Sequence, residues 1–130
     1  MKKLVVLAVA GLMSVTVSAA NWIFIGEGDS VAVKLYVDLD SISQSNNIAK
    51  AFIKNEYEQS QGIGGSAYDK TVTLREFHCN EKPIKLRTLS VRSYLGDKRV
   101  FARDKPTEFT YSYPDTFGEA AAKFVCSIKK

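Results

Sequence analysis

Few residues in this 130-residue chain could do chemistry, and the first to weigh are its two cysteines and its one histidine, Cys79, Cys126 and His78. Together they fall short of the four ligands of a structural zinc site, and His78 and Cys79, as neighbours on a strand, would point to opposite faces. The alternative chemistry is a disulfide between Cys79 and Cys126, the expected state of two cysteines in an oxidising exported compartment. In the chain-entropy description, closing a loop of this length stabilises the fold by about 4 kcal/mol. His78 has no nucleophile at a readable spacing, and no two carboxylates stand out as an acid and base pair. A noncatalytic protein without cofactor or metal is expected.

Two further spacings resemble ligand loops and fail on inspection. Asp38 and Asp40 match the first two ligands of a calcium loop, but Ile42 occupies the next ligand position and the required glycine is missing, so a turn is expected there. Gly62, Gly64 and Ala67 match the dinucleotide fingerprint G-x-G-x-x-A. That fingerprint needs a helix to open at once so that its amides meet a pyrophosphate, whereas Thr71-Val72-Thr73-Leu74 has strand composition.

The remaining candidate is a charge cluster. Arg75, Lys82, Lys85, Arg87 and Arg92 gather around one strand pair, and Lys98, Arg99, Arg103 and Lys105 follow. Two explanations stay open: solvated strand faces with protected edges, or a docking surface that steers acidic partners.

The elements that must carry these residues follow from pattern. Lys2-Lys3, the apolar run 4–17 and Ser18-Ala19-Ala20 form a signal peptide over residues 1–20, so one domain over 21–130 is expected. Without Lys2 and Lys3 the 18 basic residues become 16 against 14 acidic ones, a formal charge of +2. That modest excess, in an exported chain, does not point to nucleic acid. No later apolar run reaches membrane-spanning length, and the leader holds no cysteine for lipid attachment. A periplasmic, secreted or cell-surface protein without a lipid anchor is expected.

Alternating apolar residues predict strands over 22–25, 31–37, 48–57, 71–79, 84–94 and 107–113, separated by turn residues such as Gly26-Glu27-Gly28-Asp29 and Asn80-Glu81-Lys82-Pro83. On the strand 48–57, Ala49, Ala51, Ile53 and Tyr57 share one face and Ile48 and Phe52 the other, and both faces look partly covered. Thr116 and Glu119 have capping-box spacing, and Phe117, Ala120, Ala121, Phe124 and Val125 then recur on one face of a terminal helix. That face should cover the sheet, and truncating Phe124 to alanine should cost about 3–5 kcal/mol. The expected fold is α+β: an antiparallel sheet of about six strands packed against one C-terminal helix, with a single disulfide.

Tyr36-Val37-Asp38-Leu39-Asp40-Ser41-Ile42, Ala51-Phe52-Ile53, Arg75-Glu76-Phe77-His78-Cys79 and the run from Tyr113-Pro114-Asp115-Thr116 to Phe124-Val125-Cys126 resemble, in order and spacing, the surface-adhesin protein E family. The resemblance covers nearly the whole of residues 21–130. It implies a bacterial protein that binds host matrix and plasma proteins such as vitronectin, laminin and plasminogen, through the region of the strand pair at the first cysteine. The positions matching that region are Arg75, Lys82, Lys85, Arg87 and Arg92. A soluble periplasmic envelope protein or a hydrolase inhibitor of the same fold is the alternative, and a homodimer through a sheet edge is compatible with the pattern.

Overall fold

The computed structural model describes residues 20–28, 32–63 and 65–128; residues 1–19 of the expected leader and Gly64 of the glycine loop lie outside them. Eight strands are present among the described residues: β1 (Trp22–Glu27), β2 (Val33–Asp38), β3 (Ser43–Ser45), β4 (Ile48–Ile63), β5 (Ser66–His78), β6 (Lys85–Leu95), β7 (Lys98–Arg103) and β8 (Thr110–Tyr111). All pair antiparallel in one sheet, in the order β1-β2-β4-β5-β6-β7, with β3 beside β4 and β8 beside β6. One helix, α1 (Phe117–Ser127), closes the chain, and Cys79 is bonded to Cys126. The architecture is the expected one. The six-strand path carries two additional short strands.

The core lies between α1 and one face of the sheet. Leu35, Val37, Ala49, Ala51, Ile53, Phe77 and Leu86 are buried there with Ala121, Ala122 and Val125. Cross-strand register explains the set: Val37 pairs with Ile53, Ala49 with Phe77, and Phe77 with Leu86, so alternate residues of four strands meet one helix stripe. Phe117, Ala120 and Phe124 pack against this cluster but stay partly exposed, while Ala122 joins the buried set. The stripe is therefore centred closer to Ala121, Ala122 and Val125 than the sequence spacing suggested.

Local devices fix the helix and the turn. Thr116 accepts a hydrogen bond from the Glu119 amide at 3.2 Å, as a capping residue should. The Glu119 carboxylate reaches back to the Asp115 amide at 3.0 Å, one residue before the cap. Asp38 to Ser41 is the expected turn: the Asp38 carboxylate accepts the amides of Asn21 and Asp40. Ser41 Oγ donates to the Asp38 carbonyl at 2.8 Å and accepts the Phe52 amide at 3.0 Å, tying the turn to β4.

Three strand expectations are corrected. β7 was hidden in a basic stretch, because its alternation of Val100 with charged neighbours is weak. The strand expected over 107–113 shortens to Thr110–Tyr111, and single bonds from Thr107 to Thr88 and from Ser112 to Ile84 carry the rest of the segment along β6. In β6 the register shifts where Leu74 and Arg75 face Ser90 and Thr88, leaving Leu89 as an extra residue. Such a bulge reverses the parity of the strand. Leu86, Thr88, Val91 and Ser93 fall on the helix side, and Lys85, Arg87, Ser90, Arg92 and Tyr94 on the other, so strict alternation along β6 misassigns half of it.

Candidate functional site

The face of the sheet away from α1 is open, and the strand register specifies what it presents. Across β4, β5 and β6 one row reads Lys50, Glu76, Arg87; the next Phe52, Leu74, Ser90; the next Lys54, Val72, Arg92. Ile48, Phe52, Phe109 and Tyr111 are among the large apolar residues left exposed. Ile48 and Phe52 were expected to be partly covered; among the described residues no element packs over their side of β4, and both are more than a third exposed.

At the end of this face nearest the disulfide, one carboxylate organises the charges. Glu76 is buried, with its Oε2 at 2.6 Å from His78 Nε2 and its Oε1 at 3.3 Å from Arg87 Nη2. Burial pushes its carboxyl pKa up, but the hydrogen bonds from His78 and Arg87 and the positive charge of both outweigh it, so the net shift is down. Above this group lies the Phe109 ring, with Arg87 Cζ at 4.5 Å and Lys85 Nζ at 5.0 Å from its centroid, and the His78 ring edge-on at 4.8 Å. A cation over an aromatic face is attracted by the ring quadrupole and its stem covers the apolar ring. Tyr111 and Tyr113 follow, 46% and 61% exposed. The result is a patch of aromatic rings and cations; aromatic residues and arginine are enriched in protein-binding surfaces.

The five candidate cations do not all gather here. Lys85 and Arg87 surround Phe109, and Lys82 is exposed on the loop between β5 and β6. Arg92 lies further along the same face, paired to Asp104 at 2.7 Å. Arg75 does not belong: it pairs with Ala51 and Thr88, so its side chain is on the helix side of the sheet. Its Nε is buried without a hydrogen-bond partner, and burial lowers the guanidinium pKa against an opposing effect of Tyr57. Arg87 pairs instead with Glu76, the next residue of β5, which points to the opposite face from Arg75; only the register between the two strands separates the two arginines.

Glu76 and Phe109 escaped sequence reasoning, and His78 was weighed only for metal binding and catalysis; a second aromatic and cation set, in which Lys54 Nζ is 4.7 Å from the ring centroids of both Trp22 and Tyr36, escaped it as well. Lys50, Phe52, Lys54 and Glu56 alternate with the apolar Ala49, Ala51 and Ile53, a signal that was present in the sequence. Phe109 and His78 are brought together only by the return of the chain after β7, which no local pattern encodes.

Among the described residues no group of three or more His, Cys, Asp or Glu side chains could hold a metal ion, and no helix is long and apolar enough to cross a membrane. The glycine segment leads into β5 and not into a helix, so it lacks the amide cradle that a pyrophosphate requires.

A sequence model of the family described as surface-adhesin protein E matches residues 22–127. Among solved structures, the chain resembles the crystal structure of protein E from non-typeable Haemophilus influenzae, with a TM-score of 0.54 and 16% identity over 80% of this chain and 75% of that one. At that identity the likeness speaks for the fold alone. No curated protein matches by sequence.

Proposed function

The chain belongs to the surface-adhesin protein E family, and on that premise we propose that it is an exported, noncatalytic adhesin that binds host matrix or plasma proteins such as vitronectin, laminin or plasminogen through the disulfide end of its open sheet face. The observation that carries this is Phe109, held between Lys85, Arg87 and His78 and followed by exposed Tyr111 and Tyr113. Such a patch gives a partner apolar area to bury and a positive field to approach. Lys82 and Lys85 supply the cations that no carboxylate neutralises by direct contact among the described residues. Arg87 mainly anchors Glu76.

Charge reversal at Lys82→Glu with Lys85→Glu tests the assignment while leaving the Arg87–Glu76 pair intact. Binding to immobilised vitronectin at low salt should weaken about tenfold, and the gap from the parent should shrink as salt rises. Unchanged binding by this double variant would remove the patch from the interface. Protease added to intact cells locates the protein: digestion supports display on the surface, whereas complete protection places the same fold in the periplasm and refutes the adhesin role.

A further inference from the structure

The open face extends well beyond the Phe109 patch, and its charge is one-sided. Between the row of Ile48 and that of Glu56, the outward positions of β4, β5 and β6 carry six cations, Lys50, Lys54, Lys70, Lys85, Arg87 and Arg92, against the two carboxylates Glu56 and Glu76. Asp104 adds a third by reaching Arg92. An excess of three on part of one face exceeds the formal +2 of all residues 21–130, so the rest of the molecule is on balance acidic. Lys50, Lys70 and Lys85 have no carboxylate within ion-pair distance among the described residues.

The cations form two rows with an apolar row between them. Lys50 and Arg87 flank Glu76 on one side of Phe52 and Leu74; Lys54 and Arg92 flank Val72 on the other. Standard strand geometry puts the two members of a row about 10 Å apart and the rows about 13 Å apart. The Phe52 ring between them is 39% exposed. Such a surface lacks the concavity that selects a small ligand. It suits an extended polymer that carries negative charge at repeated intervals and can lay an apolar ring face on Phe52.

We propose that this face binds a sulfated polysaccharide, with Lys50, Lys70 and Arg92 meeting sulfates and Phe52 meeting the C–H face of a sugar ring. The choice rests on the extracellular setting of the proposed function and on the state of the aromatic rings. Single-stranded nucleic acid is held by bases stacked on successive free rings. Here those rings are already covered by cations: Lys54 lies over Trp22 and Tyr36, Lys70 over Tyr94 at 5.2 Å, and Lys85 and Arg87 over Phe109. Base stacking on these four rings is therefore blocked and Phe52 stands as a single ring between the rows, while Lys70 is held extended in advance, which lowers the ordering cost of binding. Charge density is what the face recognises.

Trp22, the only tryptophan, sits on this face under Lys54 and reports on it. A size-defined heparin octasaccharide added to the mature chain should change Trp22 emission saturably. With three cations engaged, affinity should fall about 20-fold between 50 and 200 mM salt. Lys50→Gln with Arg92→Gln removes one cation from each row, leaves the Lys54–Trp22 contact in place and should weaken binding about tenfold, whereas Lys123→Gln on the helix should change it less than twofold. Absence of binding by both emission and calorimetry would overturn the proposal. So would equal affinity for the desulfated octasaccharide, or full displacement of heparin by oligothymidine, polyglutamate or anionic phospholipid vesicles at equal charge. The protein-binding patch fails separately: it depends on Lys82 and Lys85, and loss of heparin binding with vitronectin binding retained would leave it standing.

Discussion

Removing the disulfide should cost this fold about 4 kcal/mol. Cys79 and Cys126 are 47 residues apart in sequence, and closing a loop of that size removes about 13–14 cal/mol/K of entropy from the unfolded chain, or about 4 kcal/mol at 25 °C. Ala121, Ala122 and Val125 are fully buried in the core under the sheet, and Cys79 and Cys126 pack against its margin. Alanine at both positions keeps apolar atoms there, so the main effect should lie in the unfolded state. Cys79→Ala with Cys126→Ala avoids burying a new hydroxyl and should keep the helical circular dichroism signal at 25 °C. Its urea midpoint should fall in proportion to the lost 4 kcal/mol, and its melting temperature by about 15–25 °C. Parent protein reduced with dithiothreitol should lose a similar amount. A loss below about 1 kcal/mol in both forms would refute this account, and a variant already unfolded in buffer would show that the bond also holds native packing together.

Two further perturbations test the sheet. Glu76 has a folded pKa below that of an unfolded glutamate, about 4.3, so its contribution is complete above that value and is lost as pH falls through the lower folded pKa. Glu76→Gln should cost about 1–3 kcal/mol at pH 7 and flatten the acid limb of the stability curve; an unchanged limb would remove Glu76 as its source. Phe77 is fully buried while Phe124 is only partly so. Phe77→Ala should cost about 3–5 kcal/mol and Phe124→Ala about 1.5–3 kcal/mol, and the reverse order in chemical denaturation would contradict the assigned core.

What could be read from the sequence divides along physical lines. The cap at Thr116, the turn at Asp38 and the pairing of Cys79 with Cys126 are local or forced by small numbers, and each is found as expected. Side-chain parity is equally legible within one uninterrupted strand, which is why Ala49, Ala51 and Ile53 could be put on one face. Parity fails across a bulge, and the extra residue Leu89 in β6 is visible only once β5 is beside it. Arg75 was misplaced for a related reason: it and Arg87 lie on different strands, and only the register that pairs Arg87 with Glu76 puts them on opposite faces. The patch at Phe109 needed tertiary knowledge, since Phe109 and His78 meet only after two intervening strands.

The open face can be reached from the fold itself. An 11-residue helix is about 16 Å long, while six paired strands span about 24 Å across the sheet. One such helix can close only part of one side, so the aromatic residues of the other side must meet water or be shielded by their neighbours. Long cationic stems accomplish this, as Lys54 does for Trp22 and Tyr36 and as Lys85 and Arg87 do for Phe109. Ring shielding, however, makes no demand between the rings. Lys50 is exposed beside Phe52, and no aromatic ring lies within cation–π range of it among the described residues. Its cross-strand neighbour Glu76 is already held by His78 and Arg87, so an uncharged polar residue at position 50 would keep the fold and leave the face as soluble, whereas a glutamate would set like charges opposite each other. Lys50→Gln therefore separates folding from anion capture: stability should change by less than about 0.5 kcal/mol, as for other surface substitutions, while heparin affinity should fall, and an unchanged affinity would refute the role of Lys50.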